Sequence, residues 1–169
     1  DRVRQAVESG ELLTRAVDTS SLPGYPTSGT SGRPMRVLRG PVEARLWRAA
    51  GLRMLLENGY RWRHATAQFE SPPAEPHVLQ RLGLARTTWI PPTLTLDDQL
   101  ARLIAARAHV VVGTPTVLRR VCRALVERDA RPMQPGLVVC QGEILDAGSR
   151  AAIHGALGSD PISVYGLTE

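Results

Sequence analysis

Apolar residues fall into short, regularly spaced blocks over the second half of this chain. Thr87–Ile90, His109–Gly113, Leu137–Cys140 and Ile162–Tyr165 are compact runs rich in β-branched residues. The central runs are apolar throughout and do not alternate, which predicts strands buried on both faces. Between the runs the apolar spacing becomes helical. Thr95 caps a predicted helix with Asp97 and Asp98 in its first turn and Leu100, Leu103 and Ile104 on one face. Thr114-Pro115 supplies an N-cap followed by proline at the first helical position, and that helix carries Leu118, Val121, Cys122 and Leu125 toward a core. Asp146 caps a third helix running through Leu157. Strand and helix alternate, so the predicted fold is α/β, a largely parallel sheet with flanking helices.

The first half is less regular. Residues 1–16 read as a polar helix with Val3, Ala6, Val7 and Leu12 as its apolar side. Met35–Leu38 reads as a strand. A helix is predicted over 42–57, with Leu46, Trp47, Ala50 and Met54 at helical spacing and Asn58-Gly59 ending it. A short strand is expected over 65–69, followed by a rigid proline-rich connector over 71–76.

Composition narrows the functional classes. The chain has 169 residues and 43% hydrophobic content, enough for one core or part of a larger domain. It starts at Asp1 and stops at Glu169, directly after a strand-like run, so a longer parent polypeptide is expected. No apolar run reaches the roughly 18–20 residues of a membrane span; no membrane partner is expected, and a cytoplasmic location is. Net charge is +5, and all 21 basic residues are arginine. These are scattered from Arg2 to Arg150, and aromatic platforms are scarce, which argues against a nucleic-acid partner. Cys122 and Cys140 are expected to be buried, reduced thiols. His64, His77, His109 and His154 show no metal-ligand spacing with them.

Open parallel sheets bind ligands beyond the carboxyl ends of their strands. Three unusual segments stand at such positions: Gly113-Thr114-Pro115, Gln141-Gly142-Glu143 and Tyr165-Gly166-Leu167-Thr168-Glu169. Tyr165 offers a flat stacking face, Gly166 close backbone approach, Thr168 a hydroxyl for a phosphate oxygen, and Glu169 a hard oxygen ligand for Mg²⁺; taken alone, the stretch reads as a strand end with a turn glycine and a solvated glutamate. Taken alone, Gly142-Glu143 reads as a β-turn with an exposed acid. Upstream, Thr27, Ser28, Gly29, Thr30, Ser31, Gly32 and Arg33 pack hydroxyls, glycines and one fixed cation into a short loop. Backbone N–H groups, hydroxyls and a guanidinium together make an anion cradle. Pro34 and a strand follow instead of Lys-Ser/Thr opening a helix, so it is not a Walker loop. A Ser/Gly surface turn explains the loop alone as well.

In their order and separation these residues resemble the adenylate-forming superfamily: acyl-CoA synthetases, peptide-synthetase adenylation domains and luciferases. Thr27 to Pro34 is similar to its phosphate-binding signature, and Tyr165 to Glu169 to its Tyr-Gly-x-Thr-Glu signature. Gln141-Gly142-Glu143 stands where Gly-Gly-Glu is frequent. The segment from Leu82 to Leu125 is most similar to the phenylacetate–CoA ligase-like branch. The resemblance implies a partial AMP-binding N-terminal domain over residues 1–169. It implies ATP, Mg²⁺ and coenzyme A as cofactor and co-substrates, and a small carboxylic acid as substrate, with an aryl acid such as phenylacetate as one candidate. Thr27, Ser28, Thr30, Ser31 and Arg33 would hold the β- and γ-phosphates. Tyr165 would pack on adenine, Thr168 would contact the α-phosphate, Glu169 would bind Mg²⁺, and Gly142 and Glu143 would line the adenine or acyl pocket. Arg33 replaces the commoner lysine, and Ser31 stands where threonine is common. The family's ribose-binding aspartate, hinge and catalytic lysine have no counterpart here, so the isolated chain is expected to be inactive. A catalytically incomplete nucleotide-binding relative and a basic nucleic-acid-binding domain are the competing readings.

Overall fold

The computed structural model describes residues 5, 6, 9, 22, 24–26, 36–73, 80, 83–130 and 134–164. The chain divides into two compact units, one reaching to Met54 and one running over Leu55–Gly166. The helix expected over 1–16 and the loop over 27–34 lie largely or wholly outside the described residues.

In the first unit, Gly24–Pro26 (β1) and Arg36–Leu38 (β2) pair antiparallel, with Pro26 opposite Arg36. Facing Cα atoms in such a pair lie about 5 Å apart. Pro26 and Arg36, which lie on either side of the candidate phosphate loop in sequence, are therefore close together, and β2 falls within the strand read over Met35–Leu38. Helix Pro41–Glu57 (α1) follows, with proline at its first position. The Glu43 carboxylate reaches back to accept the Gly40 N–H at 2.8 Å. The expected apolar side of this helix is not a packed side: Leu46 and Trp47 are 66% and 58% exposed, Ala50 is exposed, Met54 is half-buried and Ala44 alone is buried. Helical spacing tells which residues share a face, but not which face meets a core. Trp47 instead lies under the Arg39 guanidinium, 4.8 Å from its ring centre.

The second unit is a five-stranded parallel sheet. Its strands are Thr66–Gln68 (β3), Thr87–Trp89 (β4), Val110–Gly113 (β5), Leu137–Gln141 (β6) and Ile162–Val164 (β7), in the order β4-β3-β5-β6-β7. After β4 the chain crosses β3 to start β5, which puts a topological switch between β3 and β5. Helices Leu96–Ala106 (α2), Pro115–Glu127 (α3) and Ala147–Leu157 (α4) connect the strands, and α3 packs against both of the others. Ala67, Val111, Val138 and Cys140 form one core cluster with Leu100, Leu103, Leu118, Val121, Cys122, Leu125, Ile153 and Leu157. The alternate strand residues Val110, Val112 and Val139 are buried too. Both faces of β5 and β6 are thus out of water, which is why their apolar runs are continuous. Leu100 and Leu103 are buried, while Ile104, predicted on the same face of the helix, is 40% exposed.

All three predicted N-caps form. Thr95 accepts from the Asp98 N–H at 3.2 Å, Thr114 from Val117 at 3.4 Å and Asp146 from Ser149 at 2.9 Å. Gly158 closes α4 in the left-handed region (φ 75°), where glycine carries no steric penalty.

Candidate functional site

The carboxyl edge of the sheet is built by the residues that follow each strand. Gly113 pairs with Cys140, so Thr114 and Gln141 come next to each other, and Gln141 pairs in turn with Val164. Two constraints hold this edge in shape. Gly113 is enclosed: a Cβ there would lie 3.0 Å from Leu118 Cδ2 and 3.2 Å from Phe69 Cβ. Gly142 turns the chain sharply with φ +80°, and among the described residues a Cβ built on it would meet nothing nearer than Thr114 Cγ2 at 3.7 Å. Gly142 is exposed.

Glu143 is exposed, yet its carboxylate is engaged: Oε2 accepts the Thr116 N–H at 3.0 Å. A carboxylate from the loop after β6 thus sits on the N-terminus of α3, where the helix dipole and a free N–H favour negative charge. The reading of Gly142-Glu143 as a turn with an exposed acid agrees with the exposure of Glu143 and misses this contact across 27 positions of sequence. Gln68 and Glu70 meet at the end of β3, with Nε2 donating to Oε2 at 2.7 Å. No sequence pattern marked this pair.

The turn after β4 is organised by Gln99, a side chain with no solvent exposure. Its amide donates toward the carbonyls of Pro92 and Leu94 at 3.1 Å each and Pro91 at 3.4 Å, while its Oε1 accepts from Arg120 Nη2 at 2.9 Å. Buried polar groups of this kind are retained when every atom finds a partner. A glutamine four residues before Leu103, on the apolar side of the predicted helix, was the signal available in the sequence.

Burial pushes the Cys122 thiol up to about 12, with Cys140 adding to the rise. Burial also pushes Cys140 up to about 11, partly opposed by Arg150. Both thiols are protonated at neutral pH and are poor nucleophiles. Asp146 is held below the usual carboxylate range, chiefly by the Ser149 hydroxyl, which donates at 2.6 Å, and also by the Ser149 N–H.

Among the residues expected to form the site, Gly142 and Glu143 are described and lie at the carboxyl edge. Thr27, Ser28, Gly29, Thr30, Ser31, Gly32, Arg33, Tyr165, Gly166, Thr168 and Glu169 lie outside the described residues. Among the described residues no three His, Cys, Asp or Glu side chains converge as a metal-ligand set. No described helix is long and apolar enough to cross a membrane.

No protein-family model matches the chain, and no curated protein matches it. Solved structures do. A 2-hydroxyisobutyryl-CoA ligase in complex with 2-HIB-AMP and CoA superposes on 97% of this chain with a TM-score of 0.70 and 15% identity. A malonyl-CoA ligase with methylmalonyl-CoA and AMP bound covers 92% at a TM-score of 0.59 and 22% identity. ATP-bound MatB from Rhodopseudomonas palustris covers 92% at 0.57 and 21% identity. This chain spans 38%, 35% and 31% of those three proteins, about a third of each. At such identities the likeness is one of fold, and the α/β fold of this chain, a parallel sheet flanked by helices, is found in part of these proteins.

Proposed function

We propose that this chain is the central part of the N-terminal domain of an AMP-forming ligase that joins a carboxylic acid to a thiol. The observation that carries the reading is the fold likeness over 97% of the chain to a ligase holding an acyl-AMP and CoA. The order of the two sequence signatures along the same chain adds to it. In the proposed reaction a carboxylate oxygen attacks the α-phosphorus of ATP, the bond to the bridging oxygen breaks, and pyrophosphate leaves. The sulfur of a thiol, coenzyme A in this reading, then attacks the acyl carbon and AMP leaves.

Such displacements need charge neutralisation and alignment more than a covalent group from the protein. Thr27, Ser28, Thr30, Ser31 and Arg33 are the groups we assign to the β- and γ-phosphates. The β1–β2 pairing that brings Pro26 and Arg36 close together supports this. Tyr165 is assigned to adenine, Thr168 to the α-phosphate and Glu169 to Mg²⁺, which neutralises phosphate charge when bound. Val164, the residue before that stretch in sequence, is the strand partner of Gln141. The exposed Gly142 suits the close approach of a flat ring, with Glu143 beside it. An aryl acid of the phenylacetate type is the substrate class we favour.

ATP–pyrophosphate exchange by the full-length protein, across a panel of aryl and short-chain acids, tests the reading. Exchange with an aryl acid, and its loss by about a hundredfold in Thr30→Ala and Glu169→Gln, is expected. Exchange that persists in both variants overturns the site assignment, and absence of exchange with every acid overturns the function.

A further inference from the structure

The amino edge of the sheet, opposite the candidate site, carries a second set of unusual residues. Arg61, Trp62 and Arg63 form the turn leading into β3; Arg86 immediately precedes β4; Arg107 and His109 lead into β5. The register brings them together: the Thr66 N–H donates to the Arg86 carbonyl at 2.9 Å, and the His109 N–H to the Ala65 carbonyl at 2.8 Å. Three adjacent strand starts span roughly 10 Å, at about 4.8 Å per spacing. All six of these residues are exposed, Trp62 to 60%.

None of the guanidiniums of Arg61, Arg63, Arg86 and Arg107 has a hydrogen-bond or ion-pair partner among the described residues. Residues 58–65, 83–89 and 107–113 contain no Asp or Glu. The edge is therefore a positive surface left uncompensated by its own segments. It is also concave. Gly83 (φ +74°) and Ala85 (φ +48°) bend the chain back, the Ala85 N–H donates to the Trp62 carbonyl at 3.0 Å, and a cavity of about 260 Å³ opens between Trp62, Arg63, Leu84 and Arg86. Small-ligand pockets run to about 300–1,000 Å³, so this one has room for one side chain and not for a whole cofactor.

We propose that this amino edge docks an acidic segment of a partner protein, whose carboxylates pair with Arg61, Arg63 and Arg86 while one apolar side chain enters the cavity against Trp62. Exposed tryptophan and arginine around a small pocket are the residue types that dominate protein–protein binding energy. Charge complementarity selects the acidic partner. A single-stranded nucleic acid needs successive open stacking faces; among the described residues of this edge Trp62 is the one large exposed ring, and the His109 ring is already stacked on His64 at 5.0 Å. A bilayer surface needs a broad apolar face, and among the described residues of the three strand starts Trp62 is the one exposed large apolar side chain. The inference does not depend on the ligase reading.

The test is fluorescence anisotropy on the full-length protein with a labelled peptide of Glu and Gly around one central leucine. Oligothymidylate and phosphatidylserine vesicles are run in parallel. Trp62→Ala and the pair Arg63→Gln/Arg86→Gln are each expected to weaken peptide binding by about fivefold or more. Arg119→Gln/Arg123→Gln makes the same charge change on α3 and is expected to stay within about twofold of the unmodified protein. If Arg63→Gln/Arg86→Gln does not fold, Arg61→Gln/Arg107→Gln carries the same comparison. Equal losses for the edge and α3 pairs, no effect of Trp62→Ala, or tighter edge-dependent binding of oligothymidylate or vesicles each overturn the proposal.

Discussion

Substituting alanine for Gly113 tests whether the carboxyl edge is as tightly built as its geometry says. The added Cβ would sit 3.0 Å and 3.1 Å from Leu118 Cδ2 and Cγ, and 3.2 Å from Phe69 Cβ. Carbon atoms prefer about 3.5–4.0 Å. Neither neighbour can swing into water, because Leu118 is 1% and Phe69 4% exposed. Overpacking of this kind costs about 1–3 kcal/mol. Replacing glycine also removes unfolded-state freedom, which offsets about 0.4–1 kcal/mol. The net expectation is a loss of about 1–2 kcal/mol, or a fall in Tm of about 2–8 °C for a chain of this size. Urea and thermal unfolding followed by circular dichroism measure it. Leu118→Ala removes two of the three crowding atoms, so the double variant should cost less than the sum of the singles by about 1 kcal/mol. A neutral or stabilising Gly113→Ala, or strict additivity with Leu118→Ala, would refute the reasoning.

Gln99→Leu breaks the amide contacts to Pro92 and Leu94 and the bond from Arg120, and should cost about 2 kcal/mol in urea unfolding; adding Arg120→Leu should then cost less than Arg120→Leu alone. His64 is held below its ordinary value, first by burial and then by His109, Arg61 and Arg63. The folded state therefore binds fewer protons than the unfolded one, and Tm should fall as pH drops below about 6.5. In His64→Asn that acid slope should shrink, and an unchanged slope would remove His64 as its source. Thr95→Ala removes the acceptor of the Asp98 N–H and should lower stability by about 1 kcal/mol, read from the same urea curves. Ellman's reagent should label neither Cys122 nor Cys140 in the native protein, and both once denaturant opens the core; rapid native labelling would contradict their burial.

The parts legible from sequence alone were those in which local chemistry and tertiary demand agree. Thr95, Thr114 and Asp146 cap helices because their side-chain oxygens satisfy N–H groups within their own first turn, and nothing distant is needed. The Val110–Val112 and Leu137–Cys140 runs announced strands covered on both sides, and their residues are buried. Helix α1 was legible in its extent but not in its packing, since Leu46 and Trp47 lie exposed while Ala44 is buried. The chemistry of Thr27 to Arg33 and Tyr165 to Glu169 was read from residue types and their order, and it stands as a proposal.

Sequence by itself determined the alternation of strand and helix, the caps and the buried central strands, because periodicity and capping act over a few residues. Tertiary structure alone decided the strand order, with β4 outside β3 and the switch between β3 and β5, since no local pattern encodes which strands become neighbours. It decided that Glu143 rests on the N-terminus of α3 and that Gln99 and Arg120 meet, contacts spanning 27 and 21 positions of chain. It also gathered Arg61, Arg63, Arg86 and Arg107 at one edge. In sequence these arginines are scattered, and parallel pairing aligns the strand starts that carry them.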